Sequence, residues 1–399
     1  NPTIGTRTTF TAFTETNTKR LYKATEQIGT NESKDVYYFA GDVKNNWVKF
    51  GKTKEGSCTY KGKEVVYIDA TNDDERNPEN ETECTSTNIC YVLYNAGPSA
   101  LYKAEETEEN EGYLVGLTES DCNGEGTKWT TEKAIWSEAT KDIYWRIIRT
   151  NADGSIKLLY AGTSLDTEKA YIGMSEFNTT DNDPMYVGYK YGTTGSLENN
   201  RLNTNNSTIK TYVDNWYKNN LTAYTKYLSN DAVYCNDRNL KSGETYSNSF
   251  DYASWERIYT NKQPTYNCTN MSDAFSVNNT SAKLDYPVGL MTIDELSYAG
   301  GVYKAKLTTP YAWYYTNENG KSITGSEDSW SLSPSFWNSA SSGDWRWGGS
   351  SEPGYLSYNS ADLAYAVRPA ISLKSCTKWA SGDGSSSNPY TIQETTSGC

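Results

Sequence analysis

The sequence predicts a β-rich α+β protein exported to an oxidising compartment, and three observations carry that reading. Aromatic residues make up 14% of the chain, with 34 Tyr and 12 Trp, while charged residues reach only 22%. Tyr and Thr suit half-buried strands and the abundant Ser, Asn and Gly suit turns, so the mixture describes a strand-and-turn protein far from the disordered composition. Second, eight cysteines, Cys58, Cys84, Cys90, Cys122, Cys235, Cys268, Cys376 and Cys399, form an even set with no C-x-x-C spacing. With no histidine in the chain, that pattern points to disulfides and away from a zinc or redox centre. Third, the runs Ile143-Tyr-Trp-Arg-Ile-Ile-Arg and Ser155-Ile-Lys-Leu-Leu-Tyr flank Asp153-Gly154, the positive-φ chemistry of a hairpin turn.

Along the chain, residues 1–13 alternate weakly around Ile4, Phe10 and Phe13 with Thr between them. This predicts a strand without a neighbouring partner in sequence, which pairs at a distance or with another molecule. Residues 37–51 read as two short strands around a turn. Two acidic stretches, 72–83 and 104–111, are flanked by four of the cysteines, so residues 51–142 read as a small disulfide-tied insertion with solvated loops. The hairpin at 143–160 opens a larger domain. Ser207 occupies an N-cap position ahead of Ile209, Tyr212, Val213, Trp216, Tyr217 and Leu221, which fall at helical spacing and give one apolar face. Thr292-Ile-Asp-Glu is a capping box ahead of Leu296 and Tyr298. Strands and Gly/Ser turns fill the remainder.

Nearness pairs Cys235 with Cys268 and Cys376 with Cys399, each loop contributing about 3–4 kcal/mol in the chain-entropy model. The bridge from Cys376 to Cys399 fastens the terminal Gly382-Asp-Gly and Asn388-Pro-Tyr-Thr-Ile segment to the body. The same argument suggests Cys58 with Cys84 and Cys90 with Cys122, among the 105 pairings that eight cysteines permit.

Composition also excludes. Lys and Arg total 37 against 50 acids, a formal charge of −13, which argues against nucleic acid and anionic membrane as partners. No run of about 18 apolar residues is present to span a membrane. The absence of histidine removes Ser-His-Asp, Cys-His and H-E-x-x-H chemistry, and no phosphate-cradling glycine loop occurs. Carboxylates remain: a glycosidase needs two acids about 5–9.5 Å apart, and Glu327, Asp328, Asp344 and Glu352 are the candidates in an aromatic region. Asp294 and Glu295 point about 100° apart on a helix, and capping already explains Glu295. Clusters such as Asp73, Asp74 and Glu75, or Asp181 and Asp183, lack the twelve-residue calcium loop and read as solvated, so no cofactor is expected and only calcium is left open.

The surface candidate is Trp345, Arg346 and Trp347, followed by Tyr355, Tyr358 and Tyr365. Rigid aromatics and Arg give contact area at low entropic cost. Trp345 and Trp347, two apart on a strand, share one face, and that face is either core or contact surface.

Between about residues 144 and 376 the chain resembles a group of uncharacterised surface proteins of Gram-positive gut bacteria, some with type IV prepilin-like anchors. The matching elements are Tyr144-Trp-Arg-Ile-Ile-Arg, Tyr186-Val-Gly-Tyr, Ile209-Lys-Thr-Tyr-Val-Asp-Asn-Trp-Tyr, Cys235-Asn-Asp-Arg, Tyr286-Pro-Val-Gly-Leu-Met-Thr-Ile-Asp-Glu-Leu, Trp330-Ser-Leu-Ser-Pro-Ser and Val367-Arg-Pro-Ala-Ile-Ser-Leu. The resemblance implies a C-type-lectin-like domain over 143–376, after an N-terminal strand and disulfide-tied region over 1–142 and before a tail strand over 377–399. Glu352-Pro353-Gly354 departs from the Glu-Pro-Asn motif of animal C-type lectins, since Gly354 offers no side-chain ligand, and Trp337-Asn338-Ser339 lacks the expected acid. Calcium-dependent sugar binding is therefore not expected. The resemblance implies a non-enzymatic protein of the bacterial cell surface, either a pilin-like filament subunit that assembles with its own copies or an adhesin for a glycan or protein ligand. A carboxylate-dependent glycosidase is the alternative.

Overall fold

The computed structural model describes residues 3–10, 20–60, 63–68, 89–92, 99–103, 127–130, 135–308, 311–349 and 352–399. Strand exceeds helix, 34% against 14%, so the chain is β-rich with few helices. It divides into two compact units, Thr53–Lys141 and a larger one formed by Asn1–Lys52 with Asp142–Cys399. The smaller unit coincides closely with the insertion expected at 51–142, while residues 1–52 belong with the larger unit. In the smaller unit, Lys63–Ile68 runs parallel to Ser99–Lys103, and Ile89–Val92 pairs antiparallel with both Ser99–Lys103 and Thr127–Thr130. The expected pairings of Cys58 with Cys84 and of Cys90 with Cys122 lie outside the described side chains.

The larger unit is built on the expected hairpin. Ile156–Tyr160 pairs antiparallel with the end of Ile135–Thr150, and Ala370–Leu373 follows on its other edge, with Val288–Gly289 beyond it. At the turn, Gly154 has φ 81 and its N–H donates to the Asn151 carbonyl, while Asp153 Oδ1 accepts from the Ser155 N–H. The conformation costs a residue without a Cβ nothing. On the opposite side lie Lys34–Tyr38 and Arg20–Glu26, and Thr3–Thr6 forms the edge. That edge strand was expected to lack a neighbouring partner. It runs parallel to the next strand in sequence instead, with Thr3 opposite Arg20 and Thr6 opposite Lys23. The two strands expected around a turn in 37–51 also separate: Trp47–Tyr60 pairs at Val48 and Lys49 with the tail strand Tyr390–Ile392.

A second sheet has the order Met174–Glu176, Ala364–Ala366, Ser329–Trp337, Ser342–Trp347, Tyr355–Ser360, Val302–Tyr303, with Phe250–Asp251 also on Ser329–Trp337. The helix Thr208–Asn220 starts where Ser207 Oγ accepts from the Lys210 N–H, and it buries Ile209, Val213 and Tyr217. The short helix Ile293–Ala299 carries the predicted capping box, and all seven of its residues are buried. It joins the two sheets: Glu295 reaches the first, and the Ile293 N–H donates to Ser333 Oγ in the second.

Glu295 is the centre of a buried ionic crossing. Its Oε1 accepts from Arg149 Nε at 2.8 Å and Lys157 Nζ at 2.7 Å, and Arg149 Nη2 also donates to Glu26 Oε1 at 2.8 Å. Every side chain in it is at most 4% exposed. Burial alone would raise the Glu295 carboxyl, but the adjacent Lys157 and Arg149 charges hold it below the usual carboxylate range. Of the disulfides, Cys235–Cys268 and Cys376–Cys399 form as expected, with Cα separations of 5.8 and 5.3 Å. Among the described residues, no helix is long and apolar enough to cross a membrane.

Candidate functional site

Side chains alternate across Ser342–Trp347, and the alternation sorts the aromatic candidates before any ligand is considered. Trp345 is fully buried and Trp347 is 2% exposed, which corrects the contact role open to them: both are core. Trp347 stacks on Tyr314 at 5.5 Å, and Trp345 donates its indole N–H to Ser254 Oγ at 2.9 Å. Arg346 points the other way, ion-paired with Asp328 and with its guanidinium 5.4 Å from the Tyr365 ring. Tyr355 is half-buried at the head of its strand. Of the six predicted contact residues, Tyr358 alone joins the partly exposed ring surface described next.

That surface grows from an irregular helix. Ala253–Trp255 opens as α-helix and continues as a π-helical turn over Glu256–Thr260, in which the Asn261 N–H donates to the Glu256 carbonyl at 2.7 Å. Single π turns cost hydrogen-bond quality and concentrate at functional sites. This one is clamped from below. Arg257 donates to both oxygens of Asp294, at 2.8 and 2.9 Å, and to Asp237 at 2.7 Å. A bidentate guanidinium fixes orientation as well as position, so the clamp aims Trp255 and Tyr259, four residues apart, away from the capping-box helix.

After that helix, Gly300 has φ 123 and the chain turns into Val302–Tyr303, which runs parallel to Tyr355–Ser360. This brings Tyr303 and Tyr358 beside the π turn. Trp255 lies 5.6 Å from Tyr259, 5.4 Å from Tyr303 and 5.0 Å from Tyr358, and Tyr259 is 5.0 Å from Tyr303. Trp345 supports the group from beneath, 5.3 Å from Trp255 and 5.5 Å from Tyr303. The upper rings are open: Tyr259 is 54% exposed, and Trp255, Tyr303 and Tyr358 are half-buried. Lys304, at the rim, is a non-glycine residue in the left-handed region with φ 48, and its Nζ lies 5.3 and 5.8 Å from the Tyr303 and Tyr358 centroids. Left-handed backbone in a residue with a Cβ is strain, and strain of this kind clusters at functional sites. Hydrogen bonding to Tyr303 raises the Lys304 ammonium, while burial raises the Tyr303 phenol.

The acids considered for hydrolysis fall elsewhere. Asp328 is held by Arg346 and by the Gly349 N–H. Glu327 accepts from Ser326. Asp344 is fully buried, neither of its oxygens has a hydrogen-bond partner among the described residues, and burial raises its carboxyl well above the usual range. Asp183 caps a short turn through the Met185 N–H, the acidic cluster at 73–75 lies outside the described residues, and no metal-ligating group of three is present among those described.

The sequence reading missed Trp255, Tyr259, Tyr303 and Lys304. A Trp and a Tyr four apart just after Tyr252 were the available signal, too short a helical pattern to stand out. Compared with protein-family models, with characterised proteins and with solved structures, the chain matches none.

Proposed function

We propose that this chain is a non-enzymatic, extracellular recognition protein of a Gram-positive cell surface that binds saccharide through the Trp255, Tyr259, Tyr303 and Tyr358 rings. The observation that carries the reading is the combination of an exposed Tyr259 ring and half-buried Trp255, Tyr303 and Tyr358 rings with a rigid foundation: Trp345 beneath, and the Arg257 clamp behind. Ligand sites join apolar and aromatic walls to a few fixed polar groups, and Lys304 and the tyrosine hydroxyls supply those groups. Disulfides support an oxidising compartment. The lectin-like reading draws support from the succession of helix Thr208–Asn220, short helix Ile293–Ala299, the paired strands Ser329–Trp337 and Ser342–Trp347, and the closing strand Ala370–Leu373. The pairing of Thr3–Thr6 within its own chain favours a displayed adhesin over a filament subunit that donates this strand to a neighbour.

A glycan array probed with the wild-type chain and with Tyr259→Ala tests this. The expected result is binding to a limited set of glycans that falls about tenfold or more in the variant, the loss of one well-placed aromatic contact. Absence of any glycan binding, or equal binding by the two proteins, would contradict it.

A further inference from the structure

The hairpin tip at Asp153 borders a groove of about 440 Å³, and a second of about 280 Å³ adjoins it through the shared residues Asp153, Asp231 and Asn278. None of the residues of the ring surface lines either one. Four carboxylates line the larger groove: Glu26, Glu32, Asp153 and Asp231. Two are already neutralised, Glu26 by Arg149 and Glu32 by Lys34. The other two meet no cation among the described residues. Asp153 accepts from the Ser155 N–H and from the hydroxyls of Ser155 and Ser229, and Asp231 accepts from the Asn278 amide. Lys374 lines the adjoining groove, but its Nζ donates to the Lys226 carbonyl at 2.7 Å.

A separate observation points to a missing donor. Asn151 lines the larger groove and is 4% exposed. Its amide nitrogen donates to Ser155 Oγ and Ser372 Oγ, while its Oδ1 has no partner among the described residues. A buried acceptor left unpaired costs about 1–3 kcal/mol, and a ligand N–H removes that cost. The walls are complementary in the other respect, because Ile28, Val233 and the 40%-exposed Met271 offer apolar and adaptable surface. Unneutralised carboxylates, an orphan amide oxygen and an apolar wall together select a cation on an alkyl stem. The adjoining groove provides room for flanking chain.

We propose that the paired grooves at Asp153 and Asp231 receive a Lys or Arg side chain from a basic segment of a protein partner. The stem lies along Ile28, Val233 and Met271, and the cation meets the two carboxylates. This site stands or falls separately from the ring surface.

The test is calorimetric titration of the full chain with the blocked peptide Gly-Lys-Gly-Lys-Gly, with its norleucine counterpart and with 1,5-diaminopentane. The lysine peptide should bind, more weakly as salt rises, and the norleucine peptide and the diamine should not match it. Asp231→Asn, which leaves the hairpin turn intact, and Asp153→Asn/Asp231→Asn should weaken binding, the double variant by about tenfold or more. Glu198→Gln/Asp362→Asn, which removes the same charge elsewhere, should leave it unchanged. Equal binding of lysine and norleucine peptides, equal loss in the remote variant, diamine binding as tight as peptide, or no binding of the lysine peptide would each overturn the proposal.

Discussion

Tyr38, Tyr266 and Tyr298 pack with ring centroids 4.1–5.9 Å apart, much as Trp255, Tyr259, Tyr303 and Tyr358 do at 5.0–6.4 Å. The first cluster is closed. Phe10 sets its edge on Tyr298 at 4.9 Å, Arg7 donates to the Tyr298 carbonyl, and Arg149 of the ionic crossing lies 4.3 Å from the Tyr266 ring. All three tyrosines are at most 8% exposed, and burial pushes the Tyr38 phenol up to about 12. The second cluster has Trp345 beneath it and leaves Tyr259 more than half exposed among the described residues. Similar ring chemistry therefore becomes core where a further segment covers it and surface where none of the described residues does. The difference lies in what packs above the rings, not in the rings.

Buried charge divides the same way. Glu295, next to the closed cluster, has cationic partners and a lowered carboxyl; Asp344, one residue before the Trp that supports the open cluster, has none among the described residues and a raised one. Breaking a buried ion pair by removing one partner costs about 3–5 kcal/mol. Glu295→Ala, which strands Lys157 and leaves Arg149 with Glu26 alone, should therefore give the largest loss of stability, read by thermal or denaturant unfolding. The pH dependence has opposite signs at the two sites. For Glu295, whose folded pKa is depressed, stability is present above the ordinary carboxylate range and is lost as pH falls through the folded value. For Asp344, whose folded pKa is raised, the contribution is full below the ordinary range and is lost as pH rises toward the folded value.

Phe10→Ala opens the closed cluster and should cost about 3 kcal/mol, the lower end for a buried Phe truncation. Tyr259→Ala, at a half-exposed site, should change stability by no more than about 0.5 kcal/mol. Unfolding of the two variants side by side checks the contrast, and a Tyr259 loss as large as that of Phe10 would make both clusters core. One substitution should give a gain: Asp344→Asn removes an uncompensated buried acid and should stabilise the chain at pH 7 by on the order of 1 kcal/mol. That gain should shrink as the pH is lowered into the ordinary carboxylate range. An unchanged gain at acid pH would mean that Asp344 does not carry the cost assigned to it.

Local signals in the sequence were legible because each has a mechanism confined to a few residues. The Ser207 cap, the Thr292–Glu295 capping box and the Asp153-Gly154 turn all form where side-chain chemistry places them. The two C-terminal disulfides also follow from nearness. What eluded the sequence depends on pairing or covering at a distance. Parallel pairing of Thr3–Thr6 with Arg20–Glu26 carries no turn signature, since parallel strands need a long connection. Period-two spacing put Trp345 and Trp347 on one face without saying that Trp255, Tyr303 and Tyr314 cover it. The ring surface draws on a π turn, a two-residue strand and a left-handed Lys304, none of which leaves a periodic pattern.

The most direct test of the account is calorimetric titration of a glycan selected on the array into wild-type, Phe10→Ala and Tyr259→Ala chains, each below its unfolding temperature. The account predicts that Phe10→Ala, though the less stable protein, keeps wild-type affinity, while Tyr259→Ala keeps its stability and loses affinity about tenfold or more. Unchanged affinity in Tyr259→Ala, or an equal loss in both variants, would contradict the assignment of the open rings as the binding face.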